Sequence, residues 1–350
     1  MAEMTGGPAP YIYVGTRLRV RKSKLLPNEE YMRMLNMSLP EITRTIEEME
    51  YKREIDELSA SFSGIDLLEI ALSWNLAKEF QAIIDITPGT LKDFTEAYLR
   101  RWDIQNVLTI IRGKFQGVRP GKIKEVLIPA GELDRVFLDR LLLEDSPDRV
   151  VEALKGKKLY PVLAKEYAQA SQSKSLSHVE NELYKEFYAQ LIDLAHGVKG
   201  GKLFLSYIRL DIDITNIKNL FRLRVDDIIE DGREMMIPGG TFSVEELQKL
   251  NTITDQNEFI DALMARVKVK PLLEKLDTLR GEKPIREIEI DLIRVQLEQM
   301  EKMAKLNPFS IHPILVYLEK KKYEVFNLRA IARGKESKLP PDRIKGYLVV

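Results

Sequence analysis

A phosphate-cradling loop needs Gly, four residues, then Gly-Lys-Ser/Thr, so that successive backbone N–H groups surround the anion. Two stretches approach that spacing and miss it. Gly117-Val-Arg-Pro-Gly121-Lys122-Ile123 is one residue short and has Ile where the hydroxyl belongs, and Gly197-Val-Lys-Gly200-Gly201-Lys202-Leu203 also fails. The histidines, His178, His196 and His312, are widely separated and none has the spacing of a helical zinc pair. Each reads as a surface or capping residue near a helix boundary. There is no cysteine, which removes thiol nucleophiles, disulfides and zinc ribbons and fits a reducing compartment. No serine sits in a Gly-x-Ser-x-Gly elbow. The carboxylate pairs Asp226 and Asp227, and Glu47 and Glu48, read as solvated helix faces. The expectation is a protein with no catalytic residues, no cofactor site and no metal site.

One polar pattern does recur. An acid, an apolar residue, any residue, Asn and an apolar residue are followed by an apolar residue three later, then Arg two beyond, then a base. It occurs at Asp103, Ile104, Asn106, Val107, Ile110, Arg112 and Lys114. It recurs at Asp213, Ile214, Asn216, Ile217, Leu220, Arg222 and Arg224, and at Glu324, Val325, Asn327, Leu328, Ile331, Arg333 and Lys335. An acid at a helix start accepts free N–H groups and suits the positive end of the helix dipole. Ile104, Val107, Leu108 and Ile111 then form a buried stripe, with Asn106 a satisfied polar group at a helix contact. Two readings follow. The Asp, Asn and Arg of each copy orient helices through buried or half-buried bonds, or the pairs Arg112/Lys114, Arg222/Arg224 and Arg333/Lys335 line a surface facing an acidic partner.

The elements around the motif are helical. Apolar residues at Ile42, Ile46, Met49, Ile55 and Leu58 predict one helix face over Glu41–Leu58. Ser38 with Glu41, and Ser177 with Glu180, have the spacing of a capping box. A long amphipathic stretch runs from about Ile285 to Leu306, and Thr87-Pro88-Gly89, Pro129-Ala130-Gly131, Pro238-Gly239-Gly240 and Asn307-Pro308 are turn signals. No sustained alternation suggests a sheet, so the fold class is all-α.

The three motif copies lie 110 and 111 residues apart, and the register extends beyond them. Pro120–Leu127 aligns without a gap to Pro341–Leu348, Ile128-Pro129-Ala-Gly131 recurs as Ile237-Pro238-Gly-Gly240, and Val150–Leu154 recurs as Phe259–Leu263. The chain is therefore expected to hold three helical repeat units, residues 1–127, 128–236 and 237–350, too long for a simple solenoid. Joined head to tail, they form a line or a pseudo-threefold ring.

Composition narrows the function. There are 54 basic and 54 acidic side chains, so the cationic excess of a nucleic-acid binder is missing. Apolar runs fall short of the roughly 18 residues of a membrane-spanning helix, and Met1–Pro10 lacks the apolar stretch of a signal peptide. The basic run Arg17, Arg19, Arg21, Lys22 and Lys24, close to Tyr11 and Tyr13, reads as a solvated helix face or a contact for lipid headgroups or acidic protein.

Residues at the C-terminus add a resemblance. Asn307-Pro-Phe-Ser-Ile-His-Pro-Ile-Leu-Val-Tyr317, Glu324-Val-Phe-Asn-Leu-Arg-Ala-Ile-Ala-Arg-Gly-Lys335 and Leu339-Pro-Pro341 closely resemble the end of the C subunit of archaeal and bacterial V-type (A-type) ATP synthases. That family is the counterpart of the d subunit of the eukaryotic vacuolar ATPase. Tyr11-x-Tyr13 with Arg17, Arg19 and Arg21, the block Arg101–Arg112 and the triplication are similar to it too. The third unit departs by ending at Val350, where the first two continue into Ile-Pro-Ala/Gly-Gly. The resemblance implies a funnel-shaped, pseudo-threefold rotor subunit on the cytoplasmic face of the proteolipid ring. It would receive the central stalk, transmit torque, bind no nucleotide or ion, and use no small-molecule substrate. The alternative reading is a generic helical scaffold in a soluble complex.

Overall fold

In the computed structural model, which describes residues 9–350 apart from 199, 227, 229, 230 and 282, all regular structure is helical. Among the described residues the helices are α1 (Ala9–Lys22), α2 (Asn28–Met34), α3 (Leu39–Glu47), α4 (Lys52–Leu58), α5 (Gly64–Ile86), α6 (Gly89–Leu99) and α7 (Arg101–Phe115). Next come α8 (Pro120–Val126), α9 (Arg135–Leu143), α10 (Pro147–Ala153), α11 (Tyr160–Ser173), α12 (Ser177–Gly197) and α13 (Gly201–Val225). After a 3-10 turn at Asp231–Met235 follow α14 (Val244–Asn251), α15 (Gln256–Met264), α16 (Lys270–Asp277), α17 (Ile285–Leu306), α18 (His312–Glu336) and α19 (Pro341–Lys345).

Local chemistry sets many of these boundaries. The Glu41 carboxylate accepts the Ser38 N–H at 2.7 Å and the Ser38 hydroxyl, closing the expected box at the start of α3. These bonds to Ser38 hold the Glu41 pKa below the usual carboxylate range. A box not foreseen, Ser243 with Glu246, opens α14. Asp134, Ser146 and Asp255 cap α9, α10 and α15 through their side chains. The amphipathic stretch Ile285–Leu306 is α17, as its spacing predicts.

Two local expectations need correction. Glu41–Leu58 is two helices, α3 and α4, interrupted before the buried Tyr51. Ile46 and Ile55 lie nine residues apart, about two and a half turns, so one unbroken helix would aim them to opposite sides; the break lets both reach the core. Ser177 is the first residue of α12 rather than its cap, and Glu180 bonds elsewhere.

The helices form two compact units. One comprises the described residues up to Asn36, Asp85–Thr95 and Ile192–Val350. Its long helices α13, α17 and α18 pack together, with α1, α2 and α19 against α18 and α14–α16 in succession. Phe204, Tyr207, Ile212, Leu292, Ile314 and Leu315 are in its core. The other comprises Met37–Ile84 and Glu96–Leu191. Here α7 packs on α8, α9 and α10, with Tyr51, Leu72, Phe80, Val107, Leu141 and Leu163 buried. Close approach explains two helix glycines. A Cβ on Gly113 of α7 would stand 2.5 Å from Ile123 of α8, and one on Gly334 of α18 would stand 2.5 Å from Ile344 of α19.

Candidate functional site

The recurrent motif acts as a clamp, and each copy grips a short helix from both ends. In the first copy, Asp103 of α7 accepts the Glu132 N–H at 2.8 Å and the Leu133 N–H at 3.0 Å, just ahead of α9. Lys114, three turns further along α7, donates to the carbonyls of Leu142 (2.9 Å) and Glu144 at the other end of α9. In the second copy, Asp213 of α13 accepts the Thr241 N–H at 2.8 Å and its hydroxyl at 2.6 Å, ahead of α14. Arg224 donates to the carbonyls of Ile253 and Thr254 beyond α14. An acid thus meets the positive end of each gripped helix and a base the negative end, where unpaired N–H and C=O groups collect.

The third copy grips α2. Glu324 of α18 accepts the Leu26 N–H at 2.7 Å, immediately ahead of α2. Lys335 donates to the Leu35 carbonyl immediately after it. Glu324 also pairs at 2.7 Å with Lys321, both side chains only 3% exposed. The early helix α2 therefore stands to the third motif as α9 and α14 stand to the first two.

Between acid and base sits the Asn, which brackets the backbone N–H and C=O of one residue. Asn106 donates to the Ile128 carbonyl at 2.7 Å and accepts its N–H at 2.9 Å. Asn216 does the same to Ile237, both bonds 2.8 Å. Asn327 does so to Val349, at 2.9 and 2.8 Å. At neutral pH a side-chain amide supplies one donor and one acceptor in this fork geometry, which an ionised carboxylate cannot. All three Asn are buried.

The acids were expected to cap their own helices. Asp103 does lie in the first turn of α7, but its carboxylate bonds Glu132 and Leu133; α13 and α18 begin at Gly201 and His312, well before Asp213 and Glu324, so no free N–H of those helices remains there. The N–H groups come instead from the loop ahead of another helix. Gly131 and Gly240 make room for this: a Cβ at either would lie 2.2 Å from the Oδ1 of Asp103 or Asp213. Gly131→Ala should therefore displace the carboxylate and cost about 2–4 kcal/mol, read as a lower denaturant midpoint. Gly121→Ala, in α8 with open space around its Cβ position, should be neutral or stabilising.

Burial raises the pKa of Asp103 to about 6, against the opposing pull of its bonds to Leu133 and Glu132, and raises that of Asp213 as well. The folded form of Asp103 thus holds its proton more tightly than the unfolded chain, whose value is the ordinary 3.8. Its contribution to stability is present below pH 3.8 and is lost as pH rises through about 6. Relative to Asp103→Asn, the native protein should lose stability across that window in urea titrations run at stepped pH. Burial lowers the pKa of Lys114 and of Arg224.

The six basic candidates divide by position. Arg112, Arg222 and Arg333 are exposed, and Lys114, Arg224 and Lys335 are half-buried on the carbonyls described. Arg112 pairs with Glu180 of α12, and Arg222 with Glu289 of α17. Arg333 is also engaged within the chain. Glu180 and Glu289 were missed as partners, although their spacing of 109 residues follows the repeat.

His312 corrects the surface reading of the histidines: it is 2% exposed, and its Nε2–H donates to the Leu203 carbonyl at 2.8 Å. Burial pulls its pKa down. His178, partly exposed, lies 3.1 Å from Glu166. Among the described residues no group of three or more His, Cys, Asp or Glu could hold a metal ion. Nor is any helix among them long and apolar enough to cross a membrane.

Known proteins share this chain end to end. A family model described as ATP synthase (C/AC39) subunit matches residues 14–347. The C subunit of the A-type ATP synthase of Archaeoglobus fulgidus is 36% identical, over 99% of this chain and 98% of its own length. Those of Methanosarcina acetivorans and Haloferax volcanii are 40% and 36% identical, over 98% and 99% of this chain and 94% and 99% of theirs.

Proposed function

The chain belongs to the ATP synthase (C/AC39) subunit family, and from that premise we propose that it is a non-catalytic rotor subunit of an A/V-type ATP synthase. In this reading it joins the central stalk to the membrane proteolipid ring and carries torque between them. It sits peripherally on the cytoplasmic face, its three units, residues 1–127, 128–236 and 237–350, arranged as a pseudo-threefold funnel. The observation that carries the proposal is the clamp. Three copies of one polar device, each fixing a short helix at both ends and the backbone of one further residue, favour a stiff transmission part.

Detergent-solubilised membranes should yield this chain together with a proteolipid ring and other ATPase subunits. Recovery only in soluble complexes without them would defeat the rotor reading and favour the helical scaffold. The outer cations Arg112, Arg222 and Arg333 are the proposed contacts for an acidic stalk surface. Arg222 holds Glu289 in a half-exposed pair, and such pairs contribute about 0–1 kcal/mol. Arg222→Ala should therefore weaken stalk binding while leaving the melting curve nearly unchanged; intact binding would remove Arg222 from the contact.

A further inference from the structure

One surface of the larger unit has no part in the clamps. Between α1, the end of α17 and the start of α18 lies an open cleft of about 630 Å³, a size in the range of about 300–1,000 Å³ that binding pockets occupy. Its floor is apolar: Leu18, Val316 and Tyr317 are nearly inaccessible. Its rim carries two large apolar side chains in water, Ile12 at 49% and Phe309 at 57% exposure. Gly15 leaves the α1 wall open, since the nearest atom a Cβ there would meet is the Pro308 carbonyl oxygen at 4.0 Å.

The charges on this rim are unbalanced. Glu301 is its acid, and it is already held by Lys22 at 2.7 Å and by Lys320. Arg19 and Lys305 line the same cleft, are exposed, and make no ion pair among the described residues. An occupant that fits must bring apolar side chains for the floor and carboxylates for these two cations. The cleft runs between helices, a shape that receives the apolar face of a third helix. A bilayer surface would meet the cations but could not place apolar groups on a floor set between helix walls.

We propose that this cleft is the docking groove for an amphipathic helix of another polypeptide, its apolar face on Leu18, Val316 and Tyr317 and its Asp or Glu side chains opposite Arg19 and Lys305. The proposal deepens the reading of the chain as a subunit of an ATP synthase and rests on it.

The test places the photo-crosslinker p-benzoylphenylalanine at Phe309 in the chain assembled into its membrane complex. Irradiation should give an adduct with a polypeptide of that complex. Mass spectrometry should map it to a segment with apolar residues at helical spacing flanked by Asp or Glu. Arg19→Glu with Lys305→Glu, both exposed and unpaired, should lower the adduct yield at least tenfold. Gly15→Leu fills the cleft and removes a helix glycine, so it should abolish the adduct without lowering the melting temperature. An adduct with lipid, with a second copy of this chain or with a segment lacking acids would overturn the groove. So would no adduct from a chain that does assemble, or a yield that ignores the charge reversal. Failure of the chain to assemble with any ATP synthase subunit would instead overturn the subunit reading.

Discussion

Glu324→Ala should destabilise the protein by about 3–5 kcal/mol, as the loss of one partner from a buried ion pair does. The change takes from the buried Lys321 ammonium, whose side chain is 3% exposed, the carboxylate it pairs with at 2.7 Å, and leaves the Leu26 N–H without its acceptor. Desolvation makes the first effect the larger, because removing the counter-charge of a buried ion costs more than losing a neutral bond. The double change Lys321→Met with Glu324→Gln separates them: it removes both charges yet keeps a carbonyl oxygen for Leu26. It should recover most of the loss in urea titrations followed by circular dichroism. A double variant no better than Glu324→Ala would show that the ion pair is not what the position supplies. Loss of the grip should also show as faster amide exchange at Leu26 and along α2, since the N–H then has no fixed partner.

Asn216→Ala is expected to cost about 2–4 kcal/mol. The side chain is fully buried, and its removal orphans both the N–H and the C=O of Ile237, itself 5% exposed. Each buried unpaired backbone group costs about 1–3 kcal/mol, and partial entry of water would offset some of the sum. Asn216→Asp is the discriminating variant. Its carboxylate accepts the N–H but opposes the Ile237 carbonyl, so it should be no better than Ala at pH 7 and should improve as the pH is lowered. Equal stability of Asn216→Ala and the native protein would show that the bracket contributes nothing.

Much of this was readable in the residues. The period of α17, the box at Ser38 and Glu41, and the stripe Ile104, Val107, Leu108 and Ile111 follow from spacing and from rules of capping. So did the chemistry of the motif's acid, which does accept free N–H groups ahead of a helix start. Which helix it serves was not readable. The groups that Asp103, Asn106 and Lys114 hold are backbone atoms, and a backbone N–H or C=O has no signature in a sequence. Leu26 and Glu324 lie 298 residues apart, and nothing local to either implies the other. The glycines were the overlooked clue: Gly131 and Gly240 recur in register, and only an atom pressed against them explains why neither has a side chain. The break between α3 and α4 was hidden for another reason. Helical spacing at Ile42 and Ile46 and again at Ile55 and Leu58 is satisfied piecewise, and the half-turn slip between the pieces shows only when their phases are compared.

The grip of the third motif on α2 also sets a timetable for synthesis. The ribosome finishes α2 early and reaches Glu324 and Lys335 about 300 residues later, which at about 5–20 residues per second is an interval of about 15–60 s. Throughout that interval Tyr31, Met34 and Leu35, which end up buried, have no α18 to cover them. A seven-residue helix is not stable alone in water, so this stretch must wait as loose, sticky chain while the other unit, residues 37–84 and 96–191, is already fully synthesised behind it. Chaperone binding to the nascent polypeptide, and the burden imposed by a bulky fusion at its leading end, should therefore concentrate on residues 25–36.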